Sequence, residues 1–367
     1  MDRNADGRKV ITTFIFREQS PGGARGYDMA DAPEQNLKAP LRRLMGVQAV
    51  GTGSYVPEIV VRNEDLSKYG CDPEWIFQRS GIRERRHTPP GMCTSDLAVA
   101  AARRAMDSAG VSAGDIDLLV LGTFSPDLPI PSTASQVQHK LQLRCPAFDV
   151  SAACAGFMYA LVTGAQYVAT GCSKLALVIG ADTNSRVVEP RDKKTYPLFG
   201  DGAGAVLLSR GNENQGLIAY TMGSDGSGED LLYMKSGGSR SPASAETVQR
   251  GEHFMRMEGR SVFKWAVRVI DRSARDVLDY AKMTSDQIDL VVLHQANIRI
   301  LHAAAEEIDI DCPKLFVNLD KYGNTSAGSI PLALDEAVQQ GRIKRGSNVL
   351  LCGFGAGLVW GTALWRW

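Results

Sequence analysis

The stretch Asp115-Ile116-Asp117-Leu118-Leu119-Val120-Leu121 returns 172 residues later as Gln287-Ile288-Asp289-Leu290-Val291-Val292-Leu293. Each is a short apolar run entered through Ile-Asp, the pattern of a parallel strand buried on both faces. The same spacing carries Cys154-Ala155-Gly156 onto Ser326-Ala327-Gly328, and Ala176-Leu177-Val178-Ile179-Gly180 meets Val349-Leu350-Leu351-Cys352-Gly353 at 173. Three matches in one chain order mark an internal duplication. Each copy runs helix, Ile-Asp strand, helix, strand, a small-residue turn opening a helix, then an apolar strand. That order predicts an α/β fold with largely parallel sheets and two similar halves stacked as layers, one over residues 44–215 and one over 216–367.

Outside the copies lies a different kind of sequence. Residues 1–43 lack sustained periodicity beyond Val10-Ile11-Thr12-Thr13-Phe14-Ile15-Phe16 and predict a mobile N-terminal tail. Met45, just before the strand-like Val47-Gln48-Ala49-Val50-Gly51, is an alternative start. The acids Asp2, Asp6, Glu18, Asp28, Asp31 and Glu34 argue against a transit peptide. A formal net charge of zero excludes a global basic field, so no nucleic-acid partner is expected and an anionic ligand must be met locally. The seven cysteines are odd in number and include no Cys-x-x-Cys pair, so neither a disulfide framework nor a metal site is expected. No run approaches about 18 apolar residues and no secretory h-region opens the chain, which predicts a cytoplasmic protein without membrane attachment.

In open α/β sheets, active sites collect at the carboxyl ends of strands and the amino ends of the following helices. Cys154 sits there: it follows Ala147-Phe148-Asp149-Val150 and opens the helical run from Gly156. Unpaired amides at a helix start favour a thiolate, so a thiol pKa below the free value of about 8.5 is expected. Cys145, Cys172 and Cys352 read instead as ordinary structural cysteines. His294 closes the strand Leu290–Leu293 in place of the repeat partner Gly122, where a histidine is a poor core filler. The other histidines, at 87, 139, 253 and 302, read as surface or loop residues. Asn324, within Tyr322-Gly323-Asn324-Thr325-Ser326-Ala327-Gly328, is by itself compatible with a plain turn. The three gain weight together, because duplication brings equivalent strand ends side by side.

At these residues the sequence resembles the thiolase superfamily and, within it, β-ketoacyl-acyl-carrier-protein synthase III, over about residues 46–367. The matching segments are Glu74-Trp75-Ile76 with Arg79-Ser80-Gly81-Ile82-Arg83-Glu84-Arg85, Phe148 to Phe157 around Cys154, Phe199-Gly200-Asp201-Gly202-Ala203-Gly204-Ala205, His294-Gln295-Ala296-Asn297, and Gly323 to Pro331. The resemblance implies a thiolase-like αβαβα fold and a condensing acyltransferase that initiates fatty acid synthesis without a cofactor. Cys154 would be acylated by an acyl-CoA. His294 and Asn324 would bind the carbonyl of a malonyl thioester during its decarboxylation, and the backbone amides of Cys154 and Ala356 would hold the condensation oxyanion.

It further implies that Trp75, Arg79, Lys193 and Asn297 line the coenzyme A entrance, with Lys193 where the family has arginine. Ile130 would gate the acyl pocket across a homodimer interface. Lys264 and Arg299 would meet an acyl carrier protein or its phosphopantetheine. Around Lys264, the residues Arg260, Lys264, Arg268, Arg272 and Arg275 recur at helical spacing, a basic stripe that equally fits a solvated helix face. Glu306 and Glu307 stand where the family often carries lysine.

Three other readings remain. A degradative thiolase would need a second cysteine where Gly353 stands, with Cys352 one residue off and facing the other way. A synthase of a polyketide or other specialised pathway also uses Cys, His and Asn and stays open. A cysteine hydrolase of acyl thioesters could use the same three residues, but leaves the duplication without a role.

Overall fold

The computed structural model describes residues 39–367. The chain forms β1 (Leu41–Met45) and β2 (Val47–Tyr55), then a ribbon of β3 (Ile59–Arg62) and β4 (Glu84–His87) on either side of α1 (Pro73–Ser80). The first copy continues through α2 (Thr94–Ala109), β5 (Leu118–Gly122), α3 (Thr133–Lys140), β6 (Ala147–Val150), α4 (Gly156–Ala169), β7 (Leu175–Asp182) and β8 (Gly202–Arg210). β9 (Gly216–Ser224) opens the second copy. A ribbon of β10 (Leu232–Met234) and β11 (Met255–Met257) follows, with α5 (Ala245–Gln249) between its strands. The chain then runs through α6 (Gly259–Ala281), β12 (Leu290–Leu293), α7 (Ile298–Glu307), α8 (Leu319–Tyr322), α9 (Ser329–Gln339), β13 (Asn348–Gly355) and β14 (Val359–Arg366).

Two five-stranded sheets result, ordered β2-β8-β7-β5-β6 and β1-β9-β14-β13-β12. Reading β9, β14, β13 and β12 as the second copies of β2, β8, β7 and β5, the two orders coincide, as the repeat predicts. The counterpart of β6 is reduced to a single parallel bridge between Val291 and Leu315. Helices α2 and α3 cover the outer face of the first sheet, and α6 that of the second. Between the sheets lie α4 and α9, each touching strands of both. This is the expected αβαβα layering. It also explains why α4 is apolar on most sides, burying Phe157, Met158, Leu161, Val162 and Val168, whereas α6 buries one face and exposes Lys264, Arg268 and Arg275. One core joins the layers, from Leu118 and Val178 through Leu161 and Leu334 to Leu351 and Trp365.

Two expectations need correction. The sheets are mixed rather than largely parallel: β5 pairs in parallel with β6 and β7, and β12 with β13, but every other pairing in the two sheets is antiparallel. The cause is connection length, since β13 turns directly into β14 with Gly355 opposite Val359, which allows only a hairpin. Secondly, the expected tail ends too late. Most of it lies outside the described residues, but Leu41–Met45 is strand β1, which pairs with β9 and puts Leu44 against the shared core. The first described strand therefore edges the second sheet, while the expected boundary at residue 215 falls between β8 and β9.

Candidate active site

Strand β6 ends at Val150, and a one-turn helix over Ala153–Ala155 leads into α4, placing Cys154 at its start. Ala153 reaches this turn with φ +43, a left-handed conformation costly for a residue with a Cβ. In the second copy the turn Ser326–Gly328 opens α9 and meets the first. A Cβ on Gly180 would stand 2.1 Å from the Ala327 carbonyl oxygen, so only glycine lets β7 approach this turn. The buried Asp182, at the end of β7, accepts from Thr123 Oγ1 (2.9 Å), Phe124 N (2.9 Å), Ser125 N (3.0 Å) and Ser125 Oγ (2.7 Å), and on its other oxygen from Ala327 N (3.0 Å). Burial raises its pKa and these donors oppose that. One carboxyl group thus ties the loop after β5 to the turn after Asn324.

His294 directly follows β12 and its backbone N–H donates to Cys352 O (2.8 Å). Its ring Nδ1 lies 2.7 Å from Ser329 Oγ, and Phe354 stands edge-on to it with centroids 5.0 Å apart. Burial holds the imidazole neutral, lowering its pKa to about 3. The contact suits either neutral tautomer; in the one where the Ser329 hydroxyl donates to Nδ1, the ring proton sits on Nε2, which then serves as a hydrogen-bond donor.

Asn324 is held through its backbone and one side-chain oxygen. Its N–H donates to Leu198 O (2.8 Å), its carbonyl accepts from Gly200 N (3.0 Å), and Oδ1 accepts from Ser326 N (2.9 Å). With Oδ1 occupied, what the side chain can offer is the amide NH₂. The 197–200 segment is itself clamped by Arg85, a fully buried guanidinium that donates to Pro197 O (2.6 Å), Val61 O (3.1 Å) and Asn63 Oδ1 (2.8 Å).

Cys154, His294 and Asn324 line one cleft of about 770 Å³, together with Trp75, Arg79, Lys193, Asn297, Lys264 and Arg299. Nine of the residues given a site role from the sequence therefore line one place. Lys194 and Arg260 add two further cations to its lining, against the single acid Glu258. Asn297 caps α7, accepting from Arg299 N (2.9 Å) and donating to Arg79 O (3.0 Å), so it joins α7 to the Trp75 and Arg79 helix. Arg260, Lys264, Arg268 and Arg275 are exposed on α6, and Arg299 stacks over Phe263 at 5.9 Å. Ile130 is not in the cleft; it is 83% exposed on the loop before α3. Ala356 follows β13 and is half-buried, and its neighbour Gly355 is the residue that presses on Cys154. A Cβ there would lie 2.7 Å from Cys154 N.

The expected low thiol pKa of Cys154 is overturned. Burial pushes it up to about 12, the Ser326 hydroxyl at 3.3 Å from Sγ pulls down, and the Asp182 charge adds to the rise. The sequence argument counted the helix start and not the removal of water. Ser326, Ser329, Phe354 and Gly355 were missed as site residues, although the 172-residue match of Cys154 to Ser326 was a signal for the first. Cys352 points to the outer layer, where Thr362 Oγ1 donates to it at 3.0 Å, while Gly353 faces Met158 and Ala155. A second cysteine is therefore absent from the thiolase position. Among the described residues, no cluster of His, Cys, Asp or Glu is disposed to hold a metal ion, and no helix is long and apolar enough to cross a membrane.

A buried cysteine at a helix start, facing a neutral histidine and an oriented amide across duplicated thiolase-like halves, defines a condensing acyltransferase. Known proteins agree. Models of 3-oxoacyl-[acyl-carrier-protein] synthase III match residues 148–226, and of its C-terminal part residues 278–367. A β-ketoacyl-[acyl-carrier-protein] synthase III of Rhodopirellula baltica is 54% identical over 342 residues, 88% of this chain and 99% of the relative. The crystal structure of 3-oxoacyl-[acyl-carrier-protein] synthase III from Aquifex aeolicus is 41% identical with a TM-score of 0.80, covering 88% of this chain and 100% of that one. A priming β-ketosynthase from the R1128 polyketide pathway is 33% identical with a TM-score of 0.81, over 88% and 97%. The chain belongs to the β-ketoacyl-[acyl-carrier-protein] synthase III family. That membership makes it an acyltransferase of the condensing type and supports a role in initiating fatty acid synthesis.

Proposed function

We propose that the chain takes an acyl group from acyl-CoA onto Cys154 and condenses it with malonyl-acyl carrier protein, releasing carbon dioxide. The observation that carries this reading is the single cleft, whose lining joins the nucleophile to two neutral donors and whose remaining residues include six cations. Cations near a deep nucleophile suit an acyl group delivered on a phosphate-bearing arm, with Trp75, Arg79 and Lys193 meeting coenzyme A and Lys264 and Arg299 the carrier protein. When malonyl thioester loses carbon dioxide, negative charge develops on its carbonyl oxygen. The Nε2–H of His294 and the NH₂ of Asn324 are then the donors to receive it, preorganised by Ser329 and by Ser326 N–H. The carbanion attacks the acyl-enzyme, and the amides of Cys154 and Ala356 take the resulting oxyanion.

The edge strand β6 and the exposed Ile130 fit a homodimer in which Ile130 of the partner subunit closes the acyl pocket. The 33% identity to a polyketide priming synthase keeps a specialised starter pathway as the second reading.

The half-reactions separate by mutation. Cys154→Ala should abolish acyl-enzyme formation and retain malonyl decarboxylation. Asn324→Ala should acylate normally and lose decarboxylation by roughly a hundredfold or more. Intact-protein mass with a panel of acyl-CoAs, beside labelled carbon dioxide release, reads both. A hydrolase would turn acyl-CoA to free acid without malonyl thioester, and an Asn324→Ala enzyme condensing at the wild-type rate sinks the assignment.

A further inference from the structure

The duplication that sets the fold also gives the nucleophile a counterpart. Cys154 and Ser326 are separated by the repeat length of 172 residues, and each lies in a one-turn helix that opens one of the two central helices. The two turns meet closely: a Cβ on Gly156 would stand 3.3 Å from the Ala327 Cβ, and Ser326 Oγ donates to Cys154 Sγ at 3.3 Å. Ser326 is fully buried, so this hydroxyl is not a surface group that happens to touch the sulfur.

We propose that Ser326 is a further catalytic residue, whose hydroxyl holds the Cys154 sulfur while it carries negative charge during acylation. The aim of this hydroxyl is fixed from both sides. Ser326 N–H donates to Asn324 Oδ1 (2.9 Å), the next amide, Ala327 N–H, donates to Asp182 (3.0 Å), and Ser326 itself adopts a left-handed φ of +52. A residue with a Cβ in that conformation is kept only where surrounding bonds determine it.

The charges around the sulfur show why a donor matters there. Asp182, from the end of β7, disfavours a thiolate, and His294, beyond β12, is held neutral by burial. Neither supplies positive charge before the reaction begins. The side-chain donor to Sγ among the described residues is Ser326, and a hydrogen bond to an anionic acceptor is stronger than one to a neutral acceptor.

In the acylation step Cys154 gives up its proton and its sulfur forms a bond to the thioester carbonyl carbon. The bond from that carbon to the coenzyme A sulfur breaks, and the departing thiolate takes up a proton. Ser326 keeps its own proton throughout, donating to Sγ before the attack and releasing it as the sulfur becomes a neutral thioester. One residue thereby serves both half-reactions by separate atoms: the hydroxyl acts on the nucleophile, and the backbone N–H orients Asn324 for decarboxylation. Removing the hydroxyl takes the donor from Sγ and a partner from Asp182, and leaves the backbone N–H to Asn324 in place.

The acylation part of this inference rests on the proposed function; the effect on the thiol does not. Ser326→Ala and Ser326→Gly, the latter suited to the left-handed backbone, would be compared with the wild-type chain. The pH dependence of Cys154 alkylation by iodoacetamide would be followed by peptide mass, so that the exposed Cys172 and Cys312 do not confuse the result. In both variants the alkylation profile should move up by about one pH unit, a roughly tenfold slower reaction at neutral pH. Malonyl decarboxylation should stay within about twofold of wild type, because the Asn324 contact is a backbone one. Alkylation profiles that superimpose on the wild type overturn the proposal, as does a parallel fall in alkylation and decarboxylation, which would mark a merely structural serine. If the profile moves yet no acyl-CoA loads the wild-type enzyme, the proposed function fails and the role of Ser326 at the thiol stands.

Discussion

Replacing Gly355 with alanine tests how tightly Cys154, the proposed nucleophile, is held. The added Cβ would lie 2.7 Å from Cys154 N and 3.0 Å from Cys154 Cβ, against an ordinary carbon contact of about 3.5–4.0 Å. Something must move by roughly 0.5–1 Å. β13 is paired with β12 on one side and β14 on the other, and Gly355 is buried at its end. The Cys154 turn is therefore the part that yields, and Ala153 before it already sits at φ +43. Overpacking of this kind costs about 1–3 kcal/mol in stability, which a chain of this size tolerates. A nucleophile displaced by about 1 Å loses on the order of a hundredfold in rate. Rapid-quench intact mass at saturating acyl-CoA should show acylation slowed by about that factor. Malonyl decarboxylation, which the proposed mechanism assigns to His294 and Asn324, should fall by less than about tenfold. Gly226→Ala is the control, since a Cβ there meets nothing within 4 Å. A folded Gly355→Ala protein acylating within about threefold of wild type would refute the claim that this glycine sets the position of the sulfur.

Two further outcomes concern stability. Starting the chain at Gly46 instead of Leu41 removes β1, its ladder to β9 and the packing of Leu44, a loss of about 2–4 kcal/mol that should lower the melting temperature by roughly 3–6 °C in calorimetry; an unchanged melting curve would show that β1 contributes nothing. His294 has a folded pKa depressed to about 3, so between there and about 6.5 the unfolded chain binds the extra proton and stability falls as pH drops through that window. Urea titrations from pH 7 to 4 should show a loss that His294→Gln flattens, and parallel slopes for the two proteins would contradict a buried neutral imidazole.

Much of the architecture was legible because duplication repeats its own evidence: the Ile-Asp strands, the small-residue turns and the order of elements each occur twice. Cys154 and His294 could be read because each breaks a pattern at a strand end. β1 could not, since Leu41-Arg42-Arg43-Leu44-Met45 places two arginines at its centre and carries a register shift between Arg42 and Leu44. Ser329 and Phe354 escaped notice because their contacts with His294 join residues 35 and 60 positions away. The thiol pKa was misjudged for a related reason. Proximity to a helix start is written locally, whereas burial of Cys154 depends on β13, β14 and the opposite turn closing over it.

The position of β14 has a consequence for how the protein is made. β14 follows every other strand of the second sheet in the chain yet lies in its middle, between β9 and β13. That sheet cannot assemble until β14 has left the ribosome, and until then the inward faces of α4 and α9 lack one of their two walls. During synthesis a long apolar nascent segment therefore waits for this eight-residue strand, exposed to aggregation and to chaperones. Nonsense mutations within β14 should behave as complete losses of the protein, and a ribosome paused within β14 should hold a chain that proteases still cut throughout its second copy.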